Sequence, residues 1–125
     1  MAKTVLVVED EDSIALALEF LLQREGYELL RVSSGTAALE RIGKAVPDLV
    51  LLDGMLPGCS GYEVCQTVRQ DEAYRGVKII MMTAKGGEIE RRKAMALGAD
   101  AFVAKPFSTA ELTGTVNRLL CGEPA

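Results

Sequence analysis

Short runs of consecutive apolar residues constrain the fold of this chain more than any other feature of its sequence. The segments 5–8, 48–53 and 78–83 each carry such a run, with no alternation of apolar and polar residues. This pattern is typical of strands buried on both faces of a parallel sheet. The more mixed segment 28–33 predicts an edge strand, and 101–105 predicts a fifth strand.

Apolar residues at helical spacing lie between these runs and predict five helices. Asp12 or Ser13 is expected to cap the first helix, and Ser34 to lie near the start of the second. Ser-x-x-Glu capping boxes at 60–63 and 108–111 predict the starts of the third and fifth. The inward residues are expected to be Ile14, Leu18, Leu21, Leu22, Ala38, Leu39, Ile42, Val64, Cys65, Val68, Ile89, Ala96, Leu97, Leu112, Val116, Leu119 and Leu120.

The alternation of strand and helix predicts an α/β fold, in which helices cover both faces of a five-stranded parallel sheet through right-handed crossovers. The chain has 125 residues, of which 49% are hydrophobic and 26% charged, as in a single globular domain. We expect the domain to span residues 1–121 and residues 122–125 to be a C-terminal tail.

Composition argues against several classes of function. With 14 basic and 18 acidic residues, a net charge of −4 and no basic run, direct nucleic-acid binding is not expected. No apolar stretch approaches the roughly 20 residues that span a bilayer, and the N-terminus lacks a signal-peptide pattern. We therefore expect a cytoplasmic protein without membrane contact. There is no histidine, and the three cysteines form no Cys-x-x-Cys pair, so an imidazole base or a zinc site is not supported.

Polar residues follow four of the predicted strands at their carboxyl ends, where open parallel sheets bind ligands. They are the acidic segment 9–11, Asp53, Thr83 and Lys105. Each alone has an ordinary structural role: a solvated acidic turn, an Asx turn, a strand end and a surface lysine. Chance placement of all four sites on one rim is improbable.

Together these groups predict phosphoryl chemistry. Carboxylate oxygens suit Mg²⁺, which binds proteins through one or two carboxylates together with phosphate oxygens and water. A carboxylate can attack phosphorus to form an acyl phosphate, while a lysine and a threonine hold the remaining phosphoryl oxygens. Without a cation, repulsion among the acids is expected to raise a carboxylate pKa.

The chain resembles the receiver domain of two-component response regulators over essentially its whole length. The resemblance rests on the segments VLVVEDE at 5–11, PDLVLLD at 47–53, MLPG at 55–58 with Gly61, MTAK at 82–85 and GADAFVAKPF at 98–107. It implies a flavodoxin-like doubly wound sheet with strand order 2-1-3-4-5 and five helices.

The resemblance also implies the role of each site residue. Asp53 would be the phosphoacceptor, and Thr83 and Lys105 would contact the phosphoryl oxygens. Asp10 would ligate Mg²⁺ directly and Glu9 through water, with Asp53 and the backbone carbonyl of Met55 completing the protein ligands. Thr83 and Phe102 would form the switch, and phosphorylation would alter the face made by helix four, strand five and helix five.

The implied partners are a sensor histidine kinase or a histidine phosphotransfer protein, and a downstream protein target or fused output domain. The domain would catalyse its own phosphorylation and slow dephosphorylation, but would not be a turnover enzyme. Ala101 and Thr115 replace residues that the winged-helix subfamily uses for dimer salt bridges, so we expect a monomer or a weak phosphorylation-dependent dimer. Gly54 stands where the family usually has a larger apolar residue, which predicts extra backbone freedom beside Asp53.

Three other functions would use some of the same residues. A haloacid-dehalogenase-like phosphatase shares the Asp, Thr, Lys and Mg²⁺, but needs a second Asp as general acid and base where Met55 stands. A flavodoxin-like FMN carrier would need a phosphate loop where the acids at 9–11 stand. A degenerate receiver that acts only as an interaction module is opposed by the intact set of Asp10, Asp53, Thr83 and Lys105.

Overall fold

The computed structural model describes residues 2–84 and 87–121. Strands and helices alternate along the chain, with one short 3-10 helix before the fourth strand. In chain order they are β1 (Thr4–Val8), α1 (Asp12–Arg24), β2 (Glu28–Val32), α2 (Gly35–Lys44), β3 (Leu49–Asp53), α3 (Gly61–Gln70), the 3-10 helix Glu72–Tyr74, β4 (Lys78–Thr83), α4 (Glu88–Ala96), β5 (Ala101–Ala104) and α5 (Thr109–Cys121). The expected tail at 122–125 lies outside the described residues.

The five strands form one parallel sheet in the order β2-β1-β3-β4-β5, which confirms the expected flavodoxin-like topology. Every residue of β3 is buried, as the uninterrupted apolar run predicted. β2 lies at one edge and is only partly buried, in agreement with its mixed sequence. Because all strands run the same way, their carboxyl ends share one rim of the sheet.

Helices cover both faces of the sheet and make two separate cores, because successive side chains of a strand point to opposite faces. Val5 and Val7 pack with buried residues of α1 and α5. Leu6 and Val8 pack with buried residues of α2, α3 and α4. Among the described residues, no helix is long and apolar enough to cross a membrane.

Serine caps start three of the helices, as the sequence predicted. The Ser34 side chain accepts a hydrogen bond from the Ala37 amide, and Ser60 forms a complete capping box with Glu63. Ser108 accepts from the amide of Glu111. The predicted cap of α1 was wrong: the helix already includes Asp12, and its N-cap residue is Glu11, which makes no side-chain cap.

The inward face of α4 also differs from the prediction. Ile89 is 80% exposed and Ala96 is exposed, whereas the one buried residue of this helix is Ala94. The apolar stripe was too weak to determine the helix phase, and the packed helix turns Ala94 toward the core that it shares with α2 and α3. α4 is therefore attached to the domain by little apolar surface.

Candidate functional site

The fold brings all four predicted groups of polar residues to one rim. The acidic turn follows β1, Asp53 ends β3, Thr83 ends β4, and Lys105 follows β5. Glu9 is fully buried, Asp53 is 4% exposed and Thr83 is 1% exposed. Polar side chains are rarely buried without partners, so this burial marks the rim as a specialised part of the molecule.

Lys105 joins the acids of two strands. Its ammonium Nζ donates to Glu9 Oε1 at 2.8 Å and to Asp53 Oδ2 at 3.1 Å. The backbone fixes the base of this lysine, since its amide donates to the carbonyl of Thr83 at 2.9 Å. The lysine therefore spans from the end of β5 to the centre of the rim. Its sequence position alone suggested a surface residue, but its side chain is only 12% exposed.

Burial and charge act in opposite directions on these groups. Burial raises the pKa of Glu9 above its ordinary value and the charge of Asp53 adds to the rise, while hydrogen bonds from Lys105 and the Glu11 amide offset part of it. Burial alone would lower the pKa of Lys105, but its bonds to Glu9 and Asp53 outweigh that effect and raise the pKa. The lysine therefore stays protonated and holds the two carboxylates together.

Asp53 is oriented by a bond to each of its oxygens. Oδ2 accepts from Lys105, and Oδ1 accepts from the amide of Met55 at 3.0 Å. The second bond is the Asx-type turn that the sequence also allowed. Asp53 thus shapes the turn and also places a carboxylate among the other acids of the rim, while its role as phosphoacceptor stays a prediction.

Three carboxylates converge next to this lysine in a way that fits a divalent cation. Glu9, Asp10 and Asp53 each offer an oxygen, and these oxygens lie within 4.8 Å of one another. Asp10 is exposed, so the cluster opens to solvent on one side. A set of hard oxygen donors with an open side suits Mg²⁺, which keeps several of its waters. The carbonyl of Met55 stays a predicted ligand.

Arg31 supports the acidic turn and was not predicted as a site residue. Its guanidinium donates to the backbone carbonyl of Glu9 at 2.8 and 3.1 Å and to Asp12 at 2.9 Å. These bonds tie the loop after β1 to the edge strand β2. The sequence carried no signal for this, because Arg31 occupies an ordinary position in a mixed strand.

Gly54 does not give the loose turn that its sequence position predicted. Its amide donates to the carbonyl of Met82 at 2.8 Å, and its carbonyl accepts from the amide of Gly61 at 3.3 Å. The ring of Tyr62 fills the space beside it, so that a Cβ at Gly54 would lie 3.1 Å from Tyr62 Cε2. The missing side chain is replaced by an aromatic ring from α3.

Phe102 lies away from the acids, on β5 next to Met81 of β4. It is half-buried and lines a surface cavity of about 270 Å³ between α4 and α5, together with Met95 and Thr115. The structure thus places the predicted switch residue on the predicted output face, packed against one core and bordering this cavity. Its role as a switch stays a prediction.

Comparisons with known proteins agree on one family. The family model described as response regulator receiver domain matches residues 5–117. The phosphate regulon transcriptional regulatory protein PhoB of Rhizobium meliloti is 43% identical over 120 residues, which are 96% of this chain and 53% of that protein. The chain therefore spans about half the length of the curated relatives it matches.

Solved structures agree in fold. A crystal structure described as a response regulator from Chloroflexus aurantiacus is 38% identical, with a TM-score of 0.93, and covers 97% of this chain and 99% of that one. The receiver domain of the sensor histidine kinase PA1611 from Pseudomonas aeruginosa is 30% identical, with a TM-score of 0.88, over 97% and 99% of the two chains. That structure has a magnesium ion coordinated in its active site cleft.

Proposed function

Because this chain belongs to the response regulator receiver domain family, we propose that Asp53 accepts a phosphoryl group from a phosphohistidine of a partner protein. The observation that carries the proposal is the arrangement around Lys105, whose ammonium bonds both Glu9 and Asp53 beside the exposed Asp10. A positive group held against a reactive carboxylate is suited to binding the oxygens of an incoming phosphoryl group.

The transfer is a displacement at phosphorus. A carboxylate oxygen of Asp53 forms the new O–P bond while the N–P bond to the partner's imidazole breaks, and the imidazole leaves with the electron pair of that bond. Lys105 lies within hydrogen-bonding distance of Asp53 and can follow a phosphoryl oxygen with little movement. Thr83 ends the adjacent strand β4, and its hydroxyl would bind a second phosphoryl oxygen.

Glu9, Asp10 and Asp53 would hold Mg²⁺ together with the Met55 carbonyl, as proposed from the resemblance. When bound, the ion supplies positive charge that neutralises the carboxylates and the phosphoryl oxygens. The raised pKa of Glu9, to which burial and the charge of Asp53 both contribute, supports a need for such positive charge.

The donor is a sensor histidine kinase or a histidine phosphotransfer protein, whose imidazole this chain cannot supply since it contains no histidine. An apolar groove beside Lys105 is lined by Ile14, Ala17, Pro106 and Phe107. The groove adjoins Lys105, which bonds Asp53, so a helix of the donor could lie there with its phosphohistidine near Asp53.

The proposed output is the face formed by α4, β5 and α5, because Thr83 and Lys105 end the strands that border it. A downstream protein or a fused output domain would bind this face, with the isolated domain a monomer or a weak phosphorylation-dependent dimer. In the cytoplasm, such a domain would act as a signal and not as a turnover enzyme. Met55, which is 57% exposed, has no group to transfer a proton as a phosphatase would require.

Mass spectrometry of the intact protein tests the phosphoacceptor. With Mg²⁺ and acetyl phosphate, the wild type should gain one phosphoryl group and Asp53→Asn should gain none. Asp71→Asn is a matched control, because Asp71 is exposed and caps the 3-10 helix outside the rim. Full labelling of Asp53→Asn, or loss of labelling in Asp71→Asn alone, contradicts the assignment.

A further inference from the structure

Tyr62 links the phosphoacceptor turn to a helix in a way that the resemblance does not predict. Its ring is 9% exposed and covers Gly54, where an added Cβ would lie 3.1 Å from Cε2 and 3.3 Å from Cζ and Oη. The start of α3 is fixed just as closely, since a Cβ at Gly61 would lie 2.1 Å from the carbonyl oxygen of Asp53. The base of Tyr62 is therefore held against the turn that carries Asp53.

The other side of Tyr62 faces α4. Its hydroxyl donates to Glu90 Oε1 at 2.7 Å, and the ammonium of Lys93 lies 4.2 Å from the centre of its ring. A hydrogen bond to a carboxylate and a cation over an aromatic face are both stronger than their neutral counterparts. Burial, together with the hydrogen bond and the charge of Glu90, raises the pKa of Tyr62, so the hydroxyl remains a donor.

The two ends of α4 are attached differently. The segment after its C-terminus is tied to α3, because Arg69 donates to the carbonyl of Gly98 at 2.8 Å and bonds Asp100 at 2.6 Å. At the other end, the N-cap residue is Gly87, which has no side chain to cap the helix. Ala94 is the one buried residue of the helix. Between these ends, the hydrogen bond from Tyr62 to Glu90 connects the N-terminal half of α4 to α3.

We propose that Tyr62 is a positioning residue that fastens the N-terminal half of α4 to the backbone of the phosphoacceptor turn at Gly54, with the segment after α4 as the pivot. The link to phosphorylation rests on the proposed function, whereas the mechanical link does not. Gly54 is part of this connection, because its lack of a side chain leaves the space that the tyrosine ring occupies. A side chain at Gly54 displaces the ring, lengthens the bond to Glu90 and releases the helix.

Amide hydrogen exchange of the unphosphorylated protein tests the mechanical link. Tyr62→Phe keeps the ring and removes the hydroxyl, so amides in the first half of α4 should exchange about five- to tenfold faster. Tyr74→Phe is the matched control, since it removes a tyrosine hydroxyl from the 3-10 helix and should leave α4 unchanged. Equal acceleration in α1 and α5 would show general destabilisation and overturn the proposal.

A double-mutant cycle gives the sharper test. Gly54→Ala should loosen α4 in the wild type, because the new Cβ meets the tyrosine ring, but should have no further effect in a Tyr62→Leu background. Gly54 is not in the left-handed region, so alanine adds no backbone strain there. If Gly54→Ala changes α4 by the same factor in both backgrounds, the ring does not connect the two elements and the proposal fails.

Phosphorylation provides the functional measurement. We expect phosphorylation to release α4. Because equilibrium coupling is reciprocal, Tyr62→Phe should then bind beryllofluoride, an acyl-phosphate mimic, about twofold or more tightly in the presence of Mg²⁺. An unchanged affinity overturns the link to phosphorylation. If the wild type takes up no phosphoryl group at all, the proposed function fails. The double-mutant cycle followed by amide hydrogen exchange still decides the role of Tyr62.

Discussion

The rim and helix α4 are adjacent in the molecule but are built in opposite ways. Every rim residue stands at the end of a strand, and all five residues of the central strand β3 are buried. α4 has nine residues, and Ala94 is the buried one. The sheet fixes the backbone of each rim group, whereas α4 is held by little buried apolar surface and can move at small cost. Under the proposed function, phosphoryl transfer would occur at the fixed rim and the response would appear in α4.

The charges follow the same division. On the rim, Lys105 bonds two buried carboxylates at the ends of different strands, so removal of the lysine would leave buried negative charge uncompensated. On α4, Glu88 pairs with Arg91 and Arg92 at the solvent-exposed surface of the same helix. Pairs within one exposed helix add only about 0.3–0.5 kcal/mol and do not fix the helix in place.

Removing the lysine should have the largest effect on the rim. Lys105→Met leaves the buried Glu9 carboxylate without its cationic partner. We therefore expect the free energy of unfolding to fall by about 2 kcal/mol near neutral pH. Chemical denaturation measures this change. Lys44→Met, an exposed lysine at the end of α2, is the control and should change stability by less than about 0.5 kcal/mol.

The pH dependence of that loss sharpens the test. The raised pKa of Lys105 keeps its contribution present throughout the range below its ordinary value of 10.5. The raised pKa of Glu9 means that this acid becomes neutral as pH falls, and a neutral acid no longer needs the lysine. The cost of Lys105→Met should therefore shrink on acidification, and a cost that grows would contradict the assignment.

The next largest effect should be a loss of Mg²⁺ affinity when an acid of the rim is replaced. Asp10→Asn removes a proposed direct ligand and should weaken Mg²⁺ binding by about tenfold or more, whereas Glu9→Gln should weaken it less. Isothermal titration with Mg²⁺ alone measures both. Without metal, Asp10→Asn should raise the melting temperature slightly, because it removes one of three neighbouring negative charges. Equal Mg²⁺ affinities in wild type and Asp10→Asn would contradict a magnesium site at this rim.

The smallest effect should appear at α4. With Mg²⁺ and beryllofluoride, an acyl-phosphate mimic, amide exchange should change several-fold in α4, β5 and α5 and remain nearly constant in α1 and α2. The same protein in Mg²⁺ without beryllofluoride is the reference. Changes confined to α1 and α2 would place the output elsewhere and would show that weak attachment does not identify the responsive element.

The sequence by itself determined the sheet and the identity of the rim residues. Uninterrupted apolar runs at 5–8, 48–53 and 78–83 allowed few structures other than buried parallel strands, and polar residues at their ends therefore had to meet on one rim. Capping serines such as Ser60 set helix starts because their bonds are local. Helix α4 was predicted with the wrong face, since its charged sequence has no strong period.

Tertiary structure alone decided how those residues are connected. That Lys105 bonds Glu9 and Asp53, that Arg31 braces the acidic turn and that Tyr62 spans from Gly54 to Glu90 all depend on side chains from distant strands and helices. A missing side chain at Gly54 predicted looseness, but a ring from the next helix fills its place. Local patterns specify which backbone forms, while long-range packing specifies which groups touch, because contacts between distant segments exist only after the chain has folded.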